Sequence, residues 1–159
     1  LGDYFMLVTV EKQELGSVYR KVLAFKKKYH SGIAWRLKKH SDVVEKHLNP
    51  GEEVLYAFPA QKNDNHKDIF STAVVALTNK RILIGQARIL VGYALTSITP
   101  DLFNDLEVYE GLIWGMITID TVKELVNLSN IDKKALTEIE TNITEFMMEE
   151  KKKYVQKLD

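Results

Sequence analysis

Apolar residues recur at helical spacing in two stretches before residue 50. Steps of three and four residues place side chains on one face of a helix, so this spacing predicts helices over 11–29 and 33–48. The first face consists of Leu15, Val18, Val22, Phe25 and Tyr29, and the second of Ile33, Leu37, Val44 and Leu48. The Asn49-Pro50-Gly51 segment ends the second helix, because proline lacks the N–H that would continue the hydrogen-bond ladder.

After Gly51 the pattern changes to short apolar and aromatic runs separated by polar or glycine-containing turns. Such runs predict β-strands. The predicted strands are 53–58, 69–77, 81–85, 88–94, 102–110, 112–119 and 122–128, with a polar loop over 62–68. Asn79-Lys80 forms the turn of a tight hairpin in the middle of the series. About seven short strands at this spacing predict a small barrel or sandwich.

A third helix is predicted from Ser129 to the end of the chain. Its first residues, Ser129-Asn130-Ile131-Asp132, are typical of a capping box. One apolar stripe runs along it and consists of Leu136, Ile139, Ile143, Phe146, Met147 and Tyr154. A long amphipathic helix directly after the strands is expected to close one open end of a barrel.

Charge is balanced overall but uneven along the chain. The 22 basic and 22 acidic residues give a formal net charge of zero, so no overall field attracts nucleic acid or anionic lipid. Residues 1–50 contain ten Lys or Arg and five Asp or Glu, whereas 51–130 contain six and ten. A basic N-terminal part therefore precedes a mildly acidic body, and this balance argues against nucleic acid as the partner.

The chain has no cysteine. This excludes disulfides, thiol nucleophiles and thiolate metal sites, and it suits a reducing cytosol. The longest apolar run, 4–10, is too short to cross a bilayer and lacks the basic leader of a signal peptide. We therefore expect a cytoplasmic protein without a membrane span.

Two motifs carry a family resemblance. Pro50-Gly51-Glu52-Glu53-Val54-Leu55 opens the strand region, and Ala76-Leu77-Thr78-Asn79-Lys80-Arg81-Ile82-Leu83-Ile84 forms its central hairpin. With the apolar-Gly-apolar strand at 112–119 and the closing helix, this arrangement resembles the bacterial pleckstrin-homology-like (bacterial PH) domains over about 50–158. The resemblance implies a mainly β fold with flanking α-helices, in which a partly open barrel of about seven antiparallel strands is capped by the C-terminal helix. We expect an N-terminal helical extension at 1–49 and a PH-like domain at 50–159.

The hairpin residues have a structural interpretation beside a ligand-binding one. Asn79 tolerates the positive backbone angle that many tight turns need. The Arg81 guanidinium can tie the turn to neighbouring carbonyls or to a carboxylate. We favour the structural interpretation for Asn79, Lys80 and Arg81.

The residues that commonly carry catalysis do not form a recognisable pattern. The four histidines, His30, His40, His47 and His66, have no metal-ligand spacing. His40 and His47 are two helical turns apart, which is wide for ligands of one ion. We find no phosphate-binding glycine loop and no nucleophile motif. We therefore predict a protein that is not an enzyme, without cofactor, metal site or small-molecule substrate.

The loop after the first strand is the candidate anion site. In phosphoinositide-binding relatives of the resembled fold, basic residues of this loop hold phosphates, and here the loop offers Lys62, His66 and Lys67. Asp64 and Asp68 in the same loop dilute its positive charge. We keep the three basic residues as a speculative anion or lipid contact.

Two functional hypotheses remain. The leading one is a non-catalytic binding or scaffold module that acts through protein–protein contacts, with self-association as an option. The alternative is a peripheral membrane-surface protein that binds anionic lipid through the basic N-terminal helices. The sequence names neither a partner nor a ligand.

Overall fold

The computed structural model describes residues 15–30, 35–62 and 71–158. The helices of this part are α1 (Ser17–Lys28), α2 (Leu37–Lys46) and α3 (Leu136–Leu158), and a 3-10 turn at Lys133–Ala135 leads into α3. The strands are β1 (Val54–Gln61), β2 (Thr72–Thr78), β3 (Ile82–Ala87), β4 (Tyr93–Ile98), β5 (Phe103–Glu110), β6 (Gly115–Thr121) and β7 (Leu125–Ile131).

All seven strands form one antiparallel sheet in the order β4-β3-β2-β1-β7-β6-β5. Between β1 and β7 the register has one residue pair, Gln61 with Ser129, so the sheet is almost divided into a four-stranded and a three-stranded half. The sheet is open between its edge strands β4 and β5. The predicted fold class, a PH-like antiparallel β-structure with flanking helices, is confirmed.

The inner faces of both halves share one core with α3. Buried apolar residues from the strands pack there against Leu136, Ile139, Ile143 and Met147 of the helix. The predicted stripe is confirmed over this part of α3. Tyr154, in contrast, is 65% exposed, because the last turns of the helix extend past the sheet.

Helices α1 and α2 cover the outer face of the four-stranded half. A second apolar cluster forms between them and the sheet, and it contains Val18, Val22, Leu37, Val44, Ala57, Val74, Ala76 and Leu83. Every residue of β2 is buried as a result. At Gly85 of β3 the helix lies so close that an added Cβ would stand 2.7 Å from a Val44 methyl group and 2.8 Å from the His40 carbonyl oxygen.

The end of α1 also contacts the start of α3. Lys28 forms an ion pair with Glu138, whose other carboxylate oxygen accepts a 2.8 Å hydrogen bond from the Tyr56 hydroxyl group. The His30 N–H donates to Asp132 at 2.8 Å. The hydrogen bond from Lys28 is the main reason that the pKa of Glu138 lies below its ordinary value. Burial, followed by the hydrogen bond to Glu138, raises the pKa of Tyr56.

Several predicted boundaries are wrong. The strand expected over 112–119 begins at Gly115, and the strand expected over 122–128 begins at Leu125. The strand expected over 88–94 begins at Tyr93, because the Arg88 N–H donates to the Gly92 carbonyl and closes a turn in which Gly92 has a φ of 84°. The helix expected from Ser129 begins later, since 129–131 complete β7. Asp132 caps the 3-10 turn that leads into α3, and its carboxylate accepts from the Lys134 N–H.

Candidate functional site

The two sequence motifs meet in a buried ion pair. Arg81 donates from Nε to one carboxylate oxygen of Glu52 at 3.1 Å and from a terminal nitrogen to the other at 3.2 Å. The Glu52 side chain is fully buried, and the same carboxylate accepts from the Thr78 hydroxyl group and the Asn49 N–H. Burial raises the pKa of Glu52, but the bonds from Arg81, Asn49 and Thr78 outweigh it and hold the pKa below its ordinary value.

The hairpin turn is therefore a structural anchor. Asn79 exchanges backbone and side-chain hydrogen bonds with Glu53, which lies at the entrance to β1. Arg81 also donates to the His47 carbonyl at 2.9 Å and to Ser97 at 3.1 Å. The structural interpretation of Arg81 is confirmed. The positive φ expected at Asn79 is not found. The non-glycine residues with positive φ in the described part are Arg36 and Asn130.

His40 joins helix α2 to the sheet. It is 1% exposed; its Nδ1 accepts from the Ala87 N–H at 2.8 Å, and its Nε2 lies 2.8 Å from the Thr72 hydroxyl oxygen. An accepting Nδ1 requires a neutral ring that carries its proton on Nε2. Burial, assisted by the charge of Arg36, lowers the pKa of His40 to about 4. His40 is thus a neutral structural residue.

His47 is also engaged in structural contacts. Its Nδ1 lies 2.6 Å from the Val43 carbonyl oxygen, and its Nε2 lies 3.1 Å from the Tyr93 hydroxyl oxygen. Among the described residues, no three His, Asp, Glu or Cys side chains are placed to hold a metal ion. A cleft of about 610 Å³ is lined by Pro100, Asp101, Glu150, Lys151, Tyr154 and Val155.

The predicted anion contact is described in part. Lys62 lies where β1 ends, and its ammonium group donates to the Thr96 hydroxyl oxygen on β4 at 2.9 Å. This contact uses one of the three donors of the ammonium group. His66 and Lys67 lie outside the described residues. The combination of Lys62, His66 and Lys67 therefore stays a prediction.

The turn between β3 and β4 exposes three consecutive aliphatic side chains, which we call the apolar turn: Ile89, Leu90 and Val91. Leu90 is 92% exposed and Val91 is 84% exposed. Isolated exposed aliphatic residues are common, whereas large exposed apolar patches mark interaction sites. The sequence pattern assigned these residues to a strand, so the exposure was missed. Gly92, directly after the run, is the local signal for a turn.

Basic residues precede the apolar turn and occupy the start of α2, and we call them the basic collar: Arg88, directly before Ile89, and Arg36, Lys38 and Lys39 at the first turn of the helix. Arg36 donates to the Arg88 carbonyl at 2.9 Å and thereby holds the start of α2 against the turn. It does so from a left-handed backbone conformation with φ 54°, which is uncommon for a residue with a side chain. Of the four cations, Lys38 is paired with an acid, Asp42, at 3.1 Å.

The apolar turn lies at the same end of the sheet as Lys62 and Ser71, the described residues on either side of segment 63–70. Antiparallel pairing brings the end of β1, the start of β2, the end of β3 and the start of β4 to one end. The Lys62–Thr96 bond shows that the base of the β1–β2 loop reaches β4. Aliphatic and cationic groups of the described residues thus converge on one end of the molecule.

In the described part of the chain, no helix is both long enough and apolar enough to cross a membrane.

Comparison with models of protein families matches residues 48–145 to the bacterial PH domain. A search of curated proteins found no match. The matched segment begins just before Gly51-Glu52, contains the Thr78-Asn79-Lys80-Arg81 hairpin and ends inside α3. It spans more than half of the chain and includes all seven strands. The chain belongs to the bacterial PH domain family.

Proposed function

We propose that this chain is a non-catalytic binding module that docks on anionic membrane surfaces by inserting the apolar turn. The family is one of binding modules, which supports the general role. The observation that carries the specific role is the exposure of Leu90 and Val91 beside Arg36 and Arg88.

The energetics favour a bilayer for such a surface. Complete burial of one Leu, Ile or Val side chain contributes about 1.5–3 kcal/mol. Each Lys or Arg near an anionic lipid surface contributes about 1 kcal/mol. Neither contribution is sufficient by itself for stable docking, but together they amount to several kcal/mol. The basic collar should make binding dependent on anionic lipid and on salt, because three of its cations, Lys38, Lys39 and Arg88, are exposed to solvent and Arg36 is half-buried.

Vesicle co-sedimentation tests this proposal. The chain is mixed with phosphatidylcholine vesicles with and without phosphatidylserine, at low and high salt. Binding to the phosphatidylserine vesicles at low salt is expected, with loss at high salt. The double variant Leu90→Ser/Val91→Ser should bind at least about tenfold more weakly, the equivalent of about 1.4 kcal/mol.

The turn between β5 and β6 offers a matched control. Leu112 is 97% exposed and Ile113 is 74% exposed, but this turn lies outside the basic collar. Leu112→Ser/Ile113→Ser should retain vesicle binding. Equal losses in both double variants would show general hydrophobic adhesion and contradict the proposal. Absence of binding at low salt would also overturn it and would leave a protein partner as the occupant of the apolar turn.

A further inference from the structure

The outer face of β5, β6 and β7 has no covering element among the described residues. The corresponding face of β1 to β4 is covered by α1 and α2. On β5, Leu106 and Val108 pack toward the inner core, so Asp105, Glu107 and Tyr109 alternate to the outer side and are exposed. β5 is also an edge strand whose second side is unpaired in the sheet.

This face carries charge of one sign. From Ile89 to Val122 the chain has no Lys or Arg, and its five acidic residues are Asp101, Asp105, Glu107, Glu110 and Asp120. We call Asp105, Glu107 and Asp120 the acidic face. Asp105 and Asp120 lie directly opposite each other in the β5–β6 register. Like charges in this position are destabilising, and no ion pair of the described residues involves either carboxylate.

The same chain carries the complementary charge on α1. Val18, Val22 and Phe25 face the sheet, so the opposite side of the helix faces solvent. Arg20, Lys21 and Lys27 are exposed there, and we call them the basic face. No ion pair within the described part of the chain involves these three cations. Exposed Ala24 lies among them and leaves room for close approach of another surface.

We propose that the acidic face binds the basic face of a second copy of this chain. Charge complementarity identifies the occupant, because each surface lacks counter-charges in its own molecule and the other surface supplies them. The two faces are different parts of one molecule, so the contact is head-to-tail. Repetition of such a contact produces a ring or an open chain of copies, unlike the closed pair made by a self-complementary surface. The proposal is independent of membrane docking.

Charge reversal gives a sharp test. The basic-face variant is Lys21→Glu/Lys27→Glu, and in it two acidic surfaces would oppose each other. The acidic-face variant is Asp105→Lys/Glu107→Lys, and in it two basic surfaces would oppose each other. Sedimentation equilibrium of the unmodified chain at low salt should show an average mass that rises with concentration and falls with added salt. Each variant alone should associate at least about tenfold more weakly. An equimolar mixture of the two should regain the mass, because every contact between unlike copies is again complementary.

The control for the basic-face variant is Lys46→Glu/Lys152→Glu, which lowers the net charge by the same amount at exposed positions outside both faces. It should associate like the unmodified chain. A monomeric unmodified chain at low salt would overturn the proposal, and so would a mixture that stays monomeric although both variants are folded by circular dichroism. If a reversal variant fails to fold, Lys21→Gln/Lys27→Gln and Asp105→Asn/Glu107→Gln replace it, and undiminished association of both would contradict the proposal.

Discussion

The guanidinium group of Arg81 contacts both carboxylate oxygens of Glu52, 29 residues earlier in the chain. This one pair joins the start of the strand region to the first residue after the central hairpin turn. The hairpin cation whose side chain is free for solvent is Lys80, not Arg81.

Loss of Arg81 should destabilise the fold strongly. In Arg81→Ala, the buried carboxylate of Glu52 remains without a cation, and removing one partner of such a pair costs about 3–5 kcal/mol. Urea unfolding at neutral pH measures the change. Lys80→Ala removes the adjacent exposed cation and should change stability by less than about 0.5 kcal/mol. Similar stability of the two variants would show that the ion pair contributes little.

Glu52 should also make stability depend on pH at the acidic end. Its folded-state pKa is lowered, so its contribution is complete above the unfolded-state pKa of about 4.3 and is lost as the pH falls through the folded-state pKa. Urea midpoints measured between neutral pH and pH about 3 should therefore fall less steeply in Glu52→Gln than in the unmodified chain. Parallel curves would contradict the assignment.

His40 should produce a separate pH dependence at higher pH. Its pKa falls from an unfolded value of about 6.5 to about 4 in the fold, so the unfolded chain binds more protons between these values. Stability is thus complete above about pH 6.5 and decreases as the pH falls toward 4, by about 2–3 kcal/mol. Urea unfolding of His40→Gln, which cannot gain the charge, should lose this slope. A slope retained in the variant would assign it to other groups.

The stripe on α3 allows a paired test of core and surface. Ile143 is 1% exposed in the core, and Ile143→Ala should cost about 2–5 kcal/mol. Tyr154 shares the stripe by sequence spacing but stands outside the core, so Tyr154→Ala should be close to neutral. Thermal melts of both variants measure the difference. A near-neutral Ile143→Ala would mean that the helix does not close the core.

Position 85 should not tolerate a side chain even as small as a methyl group. An added Cβ would stand 2.8 Å from the His40 carbonyl oxygen, which belongs to the backbone of α2 and cannot move without the helix. We expect Gly85→Ala to destabilise by about 1–3 kcal/mol, as overpacked cores do. The midpoint of urea unfolding reports this loss. Unchanged stability would show that α2 is not held closely on β3.

The elements that the sequence predicted well are those whose spacing is a local property. The apolar faces of α1 and α3 and the central hairpin follow from residue order alone. The turn at 88–92 was missed because Ile89, Leu90 and Val91 are strand-forming residue types, whereas the turn depends on Gly92 and on the contact with distant Arg36.

Hydrophobic periodicity predicts that the N-terminal helices form, but it does not predict where they pack. A signal did exist, since the unbroken apolar run Ala73 to Leu77 predicts a strand buried on both faces and therefore a covering layer. The sequence predicts that Arg81 anchors the hairpin turn, but it does not identify the carboxylate that Arg81 contacts. Nothing in the residue pattern singles out Glu52 from Glu53. Both precede β1, and the folded backbone buries Glu52 against Arg81 while Glu53 is exposed.

Because α1 and α2 cover β2, they limit where the chain can be truncated. A fragment limited to the family match, 48–145, would lack both helices and would expose the outer side of Val74, Ala76 and Leu83 to water. The Glu45 carboxylate on α2 accepts from the first N–H groups of α1 and so caps that helix. Removal of either helix would therefore remove a contact that stabilises the pair. The smallest fragment that expresses well should therefore begin before Ser17, more than thirty residues upstream of the boundary that sequence similarity suggests.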